Sequence, residues 1–314
     1  MSLRLVRPGL LTTVQDLGRF GHQHEGVPVG GAMDAPALRL ANSLVGNPES
    51  AACLEVTLLG PALQLQDDVV LAITGADLSA TLDDKPIALG RALLARAGTH
   101  LTFGQRNNGC RAYVAFAGGI DVPIVLGSRS TYLRARMGGF NGRALAKDDV
   151  VPLGRPSKDT QRIAAALPAG AVAAIGPGLP IAPRDAVAVR AMRGRHFAAL
   201  TAQSRAALLS ANAQWFRLSP QSDRMGYRLD GPQLALRHPL EIISEPVVFG
   251  TVQLPPGGNP IVLMADRQTT GGYPRVLEVA TVDLPLLAQT APGMRIRFTE
   301  VSLEEAQRLY IASR

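Results

Sequence analysis

The chain has 314 residues, a formal net charge of +7, 46% hydrophobic residues and 18% charged residues; that length holds two ordinary domains with an ample core, and the balance excludes a disordered chain. No apolar run approaches the roughly 20 residues of a membrane-spanning helix. The extra arginines are scattered singly, with one modest group at Arg184, Arg190, Arg193, Arg195 and Arg205 and no interleaved aromatics, which argues against nucleic acid and for attraction to anionic small molecules or an acidic partner protein.

In chain order, Met1 to Gly9 reads as a strand and turn without the apolar core of a signal peptide, so a cytoplasmic protein is expected. Asp34 to Leu44 predicts a helix, with Asp34 as N-cap, Pro36 early, and Leu38, Ala41 and Leu44 on one face. Val69 to Thr74, Ala112 to Phe116, Pro260 to Met264 and Met294 to Phe298 are short apolar runs bounded by turn residues and predict strands. Asp83-Asp84-Lys85-Pro86 and Pro255 to Asn259 predict turns. Gly154 to Leu167 is polar and strandless, and Arg155 to Gly170 is taken as the connection between a first module, 1–154, and a second, 171–314. Phe197 to Leu209 and Leu303 to Ile311 predict helices, the second opened by a capping box of Ser302 and Glu305. The frequent Gly and Pro favour many short strands, so the expected class is mainly β with a few helices, arranged as two related antiparallel β-barrels.

The two modules read as a tandem duplication. Gln15-Asp16-Leu17-Gly18-Arg19 answers to Ser222-Asp223-Arg224-Met225-Gly226-Tyr227-Arg228, and Leu54 to Pro61 to Ile242 to Gly250. Val69 to Asp77 answers to Pro260 to Asp266, and Leu93-Leu94-Ala95 with Gly98 and Phe103 to Leu286-Leu287-Ala288 with Gly293 and Phe298. A seam between such modules is a natural place for a cleft, with loops from both halves contributing.

The densest candidate for chemistry is Asp266-Arg267-Gln268-Thr269-Thr270-Gly271-Gly272-Tyr273, which places a carboxylate, a guanidinium, an amide and two hydroxyls before a flexible Gly pair at the end of a strand. A purely structural turn, with Asp266 and Arg267 paired locally, is the competing reading. In the Ser222 to Arg228 segment, Arg224 and Arg228 have the fork geometry for a carboxylate or phosphate, with Asp223 to orient one of them. Gln15, Asp16 and Arg19 form a related set. The Gly-rich run Gly26 to Asp34 leads into a helix start whose N–H groups suit an anion, although Asp34 would compete for them. Ser128, Arg129, Ser130 and Thr131 offer donors for a ureido or carboxylate group, but their composition favours a mobile surface loop. No phosphate-binding loop, dinucleotide fingerprint or nucleophile elbow is present in the sequence. His22 and His24 have no third ligand at metal spacing, so no metal is expected, and Cys53 and Cys110 read as buried thiols.

Together these blocks resemble the biotin-dependent carboxyltransferase, or allophanate hydrolase subunit 2-like, family. The matching segments are Thr12 to Arg19, Gly26 to Asp34, Ala41 to Asn47, Leu54 to Thr57, Ile73 to Asp77, Ala117 to Ile120, Leu126 to Thr131, Gly138 to Phe140, Ser222 to Arg228 and Ala265 to Pro274. The resemblance implies a pair of cyclophilin-like β-barrels and, as the first expectation, the C subunit of an ATP-dependent 5-oxoprolinase, which opens 5-oxoproline to glutamate. It implies partners, namely an allophanate hydrolase subunit 1-like chain (the 5-oxoprolinase B subunit) and a barrel-type A subunit, and little activity alone. ATP would act through the complex. Biotin, if used, would arrive on another protein, because this sequence has no Met-Lys-Met acceptor segment. The family also contains an antagonist of a sporulation-kinase inhibitor and the carboxyltransferase region of urea carboxylase, so a non-catalytic regulator and a carboxyl-transferring chain are the alternatives. Both chemistries, the opening of 5-oxoproline and carboxyl transfer to urea, handle a flat amide or ureido group and an oxyanion. The roles implied are Arg224 and Arg267 as oxyanion stabilisers and Asp223 and Asp266 as orienters or base. The ligand contacts implied are Gln15, Asp16, Arg19, Arg129, Ser130, Thr131, Ser222, Tyr227, Gln268, Thr269, Thr270 and Tyr273.

Overall fold

The computed structural model describes residues 1–167 and 185–313. The chain divides into two compact units, Met1–Phe20 with Gly30–Ala182 and Gly21–Val29 with Pro183–Arg314. The fold is mainly β with short helices, as the short apolar runs and the frequent Gly and Pro predict. Among the described residues, no helix is long and apolar enough to cross a membrane.

The strands of the first unit are β1 (Ser2–Arg7), β2 (Leu11–Gln15), β3 (Cys53–Thr57), β4 (Ala62–Leu65), β5 (Val69–Asp77), β6 (Ala80–Leu82), β7 (Lys85–Pro86), β8 (Ala92–Ala95), β9 (His100–Phe103), β10 (Asn108–Phe116) and β11 (Val150–Pro152). They form a six-stranded sheet, ordered β11-β1-β4-β9-β6-β7, and a five-stranded sheet, ordered β2-β3-β10-β5-β8. Strand β10 is buried along its whole length. It lies between β3 and β5, and residues pointing to both of its faces are buried, so its apolar residues run continuously instead of alternating. Helix α1 (Ala35–Leu44) covers β5 and β10 with Ala37, Leu38 and Ala41. It starts as predicted: the Asp34 carboxylate accepts the Ala37 N–H at 3.0 Å, which fills the anion position at that helix start. The β6–β7 hairpin turns through Asp83 and Asp84 at φ 44° and 63°, the left-handed pair that a two-residue hairpin requires.

The predicted connection behaves differently. Helix α2 (Lys158–Ala166) forms inside it, capped by Ser157. The Ser157 and Thr160 hydroxyls donate to the carbonyls of Gly46 and Val45, so this helix is docked on the end of α1. The remainder of the predicted connection, 168–170, and the predicted start of the second module at 171 lie outside the described residues.

The second unit contains β12 (Ala186–Arg193), β13 (Phe216–Leu218), β14 (Gly226–Asp230), β15 (Glu245–Pro246), β16 (Thr251–Gln253), β17 (Ile261–Leu263), β18 (Thr270–Gly271), β19 (Arg275–Val279) and β20 (Arg295–Glu300). Seven of these close into a barrel, ordered β12-β19-β16-β17-β14-β13-β20. Its pairings are antiparallel as predicted, except that β12 and β20 run parallel where the barrel closes. Alternate residues fill the interior: Val187, Val189, Phe216, Ile296 and Phe298 are buried, and the Phe216 and Phe298 rings lie 6.3 Å apart. Strands β15 and β18 pair as a separate two-stranded ribbon. Helix α5 (Leu303–Ala312) is capped by Ser302, whose hydroxyl accepts the Glu305 N–H.

Two local predictions need correction. The Phe197 to Leu209 stretch is a 3-10 turn at Phe197–Ala199 followed by α3 (Ala202–Leu208), because Thr201 caps the second piece and separates the two. Leu286-Leu287-Ala288 belongs to helix α4 (Leu284–Ala288), whereas its supposed counterpart Leu93-Leu94-Ala95 is in strand β8. Pro285 in the first turn favours the helix there. His22 and His24 lie at a 3-10 turn, and both approach Glu25.

Candidate functional site

The candidate residues gather into two clusters, one in each unit. In the first, β2 ends at Gln15 and the chain turns at Asp16. The Asp16 carboxylate accepts hydrogen bonds from the Gly18 N–H at 2.8 Å, the Ser128 hydroxyl at 2.6 Å, the Ser130 hydroxyl at 2.5 Å and the Arg129 N–H at 2.6 Å. Arg19 is fully buried, and its guanidinium donates to the carbonyls of Val125 and Ser130. Thr131 donates its hydroxyl to the Val14 carbonyl, and Gln15 donates to Thr13 and to the Thr131 carbonyl. The loop expected to be mobile is therefore buried at Ser128, Ser130 and Thr131. Its hydroxyls and N–H groups are satisfied by Asp16, which makes this cluster a rigid clamp. Arg129 is turned aside, donating to the Val122 carbonyl and Asp121. Gln15 keeps one unmatched group, since its Oε1 is buried without a partner among the described residues.

Sequence reasoning passed over a second buried network in this unit. Glu55 lies in the all-buried strand β3. It accepts the Tyr113 hydroxyl at 2.7 Å and the Met33 N–H at 2.9 Å, while the Tyr113 oxygen accepts the Asp34 N–H. Burial, with a smaller contribution from the Glu55 charge, pushes the Tyr113 phenol well up, so Tyr113 stays protonated. A glutamate inside an apolar strand run was the available signal.

The second cluster is built where β14 and β17 pair in register, Gly226 with Leu263. Extending that pairing brings Arg224 beside Asp266: the Asp266 N–H donates to the Arg224 carbonyl at 2.8 Å. The Arg224 guanidinium grips the Asp266 carboxylate through two hydrogen bonds of 2.9 Å, with both side chains buried. Asp266 thus pairs with Arg224, not with its neighbour Arg267. Asp223 is exposed, and its carboxylate accepts the N–H groups of Met225 and Gly226, holding the turn without orienting Arg224. Ser222 exchanges hydrogen bonds with the Arg228 backbone, and Tyr227 is buried in β14.

Arg267 is left in an unusual position. It is 8% exposed, and its guanidinium makes only long contacts, 3.5 Å to the Val247 carbonyl and 3.4 Å to the Ala265 carbonyl. Among the described residues no carboxylate lies within ion-pair distance of it. Burial pushes its pKa down to about 10, against a smaller opposing pull from Asp266. A guanidinium that has lost water without gaining a counter-charge is costly to hold, and the arrangement is satisfied by an anion or a polarised carbonyl. The neighbouring loop is held in place: the Val247 N–H donates to Thr269, β15 pairs with Thr270 and Gly271, and Gln268 reaches Gln253. The ribbon is pinned in turn by Glu245, which receives Arg275 and Arg195. Tyr273 is 46% exposed at the rim. Among the described residues there is no cluster of metal ligands, and both cysteines are free and buried.

Comparison with known proteins supplies the relatives. The family model described as carboxyltransferase domain, subdomain A and B, matches residues 25–300. The chain is 41% identical, over 97% of its length and 93% of the relative's, to the 5-oxoprolinase C subunit of Escherichia coli (strain K12). It is 40% identical, over 95% of its length and 90% of the relative's, to the 5-oxoprolinase C subunit of Haemophilus influenzae. Among solved structures, the urea amidolyase of K. lactis superposes with a TM-score of 0.87 at 29% identity, covering 99% of this chain but 19% of that one.

Proposed function

We propose that this chain, which belongs to the carboxyltransferase domain family of subdomains A and B, is the C subunit of an ATP-dependent 5-oxoprolinase. The observation carrying the proposal is the nearly end-to-end match to C subunits of that enzyme, 93% of the Escherichia coli protein at 41% identity. The reaction is 5-oxoproline, ATP and water giving glutamate, ADP and phosphate. It takes place in a heteromeric complex with A- and B-type partner subunits, and this chain is inactive alone. ATP supplies the driving force through the complex, and the complex works in the cytoplasm. The substrate has a flat lactam and a carboxylate. Of the four residues nominated from sequence, Arg267 fits such a ligand best, because Arg224 and Asp266 are committed to each other and Asp223 to its turn. In this reading Arg267 holds an oxygen of the substrate, while Gln268, Thr269, Thr270 and Tyr273 line its approach.

The second reading, carboxyl transfer to an amide from biotin carried on another protein, draws on the likeness to urea amidolyase at a TM-score of 0.87. It is the weaker one, because the chain spans only 19% of that enzyme.

The test is glutamate release from 5-oxoproline and ATP by the chain with its A- and B-type subunits, omitting each in turn, alongside Arg267→Ala and Arg267→Lys. Release that requires this chain and is lost in Arg267→Ala, with the complex still assembled on a sizing column, supports both the function and the site. Undiminished release without this chain refutes the function. Full activity in Arg267→Ala refutes the site.

A further inference from the structure

The outer face of the second unit's barrel has a patch that the proposed chemistry does not use. Where β13 and β20 pair, Phe216 and Ile296 point inward, and Arg217 lies directly opposite Arg295. One step further along, Arg297 lies over Trp215, with its guanidinium carbon 4.7 Å from the ring centroid; that of Arg295 is 5.6 Å away. On the other side of β20 the parallel strand β12 presents Ala186 beside Arg295 and Ala188 beside Arg297. The result is a row of three arginines flanked by small residues, around the only tryptophan of the chain.

Two features set this patch apart from ordinary surface arginines. Like charges directly opposite on a sheet repel one another, and sheets normally avoid that pairing. Among the described residues Arg217, Arg295 and Arg297 make no ion pair within 4 Å, although Asp230 of β14 lies opposite Arg217 on its other side. In the same unit Arg190, Arg193, Arg195, Arg275 and Arg308 are paired with acids, and Arg205, Arg228 and Arg237 are not. The Arg297 Nε is moreover buried without a hydrogen-bond partner. Arg295 and Arg297 lie over the Trp215 ring at cation–π distance, and their guanidinium N–H groups can still meet a carboxylate. The ring is thereby occupied by cations, which disfavours a base or sugar stacking on it.

We infer that this β13–β20–β12 face docks an acidic surface, rich in Asp or Glu, of a companion protein. The charge of the patch, its unpaired guanidinium groups and the small residues beside them define that occupant. Identifying the companion with one of the A- and B-type subunits rests on the function proposed above.

The chain, labelled with 5-fluorotryptophan so that Trp215 gives a single fluorine resonance, is titrated with the unlabelled A- and B-type subunits separately, at about 50 and about 300 mM salt. The fluorine signal is expected to shift with one of them. Arg217→Glu combined with Arg295→Glu is expected to weaken that binding at least tenfold at low salt and to flatten its salt dependence. Lys85→Glu combined with Lys147→Glu makes the same change of net charge on exposed residues of the other unit, and is expected to leave binding within twofold. A fluorine signal that does not move, or arginine variants that bind as the parent does, overturns the docking face. Equal weakening by both double variants overturns it too, since net charge alone would then account for the effect. Glutamate release separates the two proposals. Release with an unmoved resonance removes the docking face and keeps the function, whereas a shifted resonance and charge-dependent binding without release do the reverse.

Discussion

Asp16→Asn tests whether the first-unit cluster is a clamp or an open ligand site. The parent carboxylate takes four donors, three on Oδ1 (Gly18 N–H, Ser128 and Ser130 hydroxyls) and one on Oδ2 (Arg129 N–H). An asparagine with its oxygen in the Oδ1 position keeps three of them neutral, but turns an NH2 group towards the Arg129 N–H. The opposite amide orientation abandons the other three. Hydrogen bonds to a charged group contribute about 1.5–3 kcal/mol each, and an unsatisfied buried donor costs about 1–3 kcal/mol. The better orientation therefore destabilises the first unit by about 2–4 kcal/mol. Asp16→Ala strands both backbone N–H groups, while the two hydroxyls rotate to new partners, so its cost is about 3–6 kcal/mol. Amide hydrogen exchange is the appropriate assay, because the single tryptophan lies in the second unit. Amides of the Ser128 to Thr131 loop and of β2 should lose protection by at least tenfold in Asp16→Asn, with β12 and β20 unchanged. Protection within about 0.5 kcal/mol of the parent, with weaker substrate binding by the complex, would show that Asp16 serves a ligand and refute the clamp.

Gly139→Ala should destabilise the same region by about 1–3 kcal/mol, because Gly139 has φ +56° and a Cβ there would lie 1.9 Å from the Thr131 hydroxyl oxygen; a lower urea midpoint read by exchange of β2 checks it. Asp266→Asn breaks the buried fork to Arg224 and should cost about 3–5 kcal/mol, seen as a lower urea midpoint of Trp215 emission; an unchanged midpoint with lost turnover would reassign Asp266 to catalysis. Glu278 is pushed up by burial, against opposing pulls from the Thr251 hydrogen bond and Arg275. A raised folded-state pKa means that its contribution is fully present below the unfolded value near 4.3 and is lost as pH rises through the folded value. Glu278→Gln should therefore flatten the fall in stability across that window, and an unchanged pH profile of the urea midpoint would count against the burial account.

What the sequence revealed depended on how far apart the cooperating residues lie. The α1 start was legible because cap, proline and apolar face sit within a few residues of one another, and the buried strands were legible from unbroken apolar runs. Ser128 to Thr131 looked like a mobile loop because polar composition is a local property. The group that buries those residues is Asp16, more than 100 positions away. The repeated Leu-Leu-Ala misled for the opposite reason: identical letters form a strand at 93–95 and a helix at 286–288, and the proline preceding the second copy was the deciding signal.

The second cluster shows the same limit more sharply. Proximity in sequence pairs Asp223 with Arg224 and Asp266 with Arg267, and both local pairings are wrong as ion pairs. The register of β14 on β17 crosses them over, joining Arg224 to Asp266. That crossover sends Asp223 out to hold its turn and isolates Arg267 in the interior. Two similar Asp–Arg motifs thereby come to differ in kind: one supplies half of a buried structural pair, and the other retains a desolvated cation with nothing charged to meet it. If that cation is matched by substrate, Arg267→Lys should raise KM more than it lowers kcat. A lysine keeps the charge but loses the planar fork, so a loss confined to kcat would place Arg267 at the reacting oxygen instead.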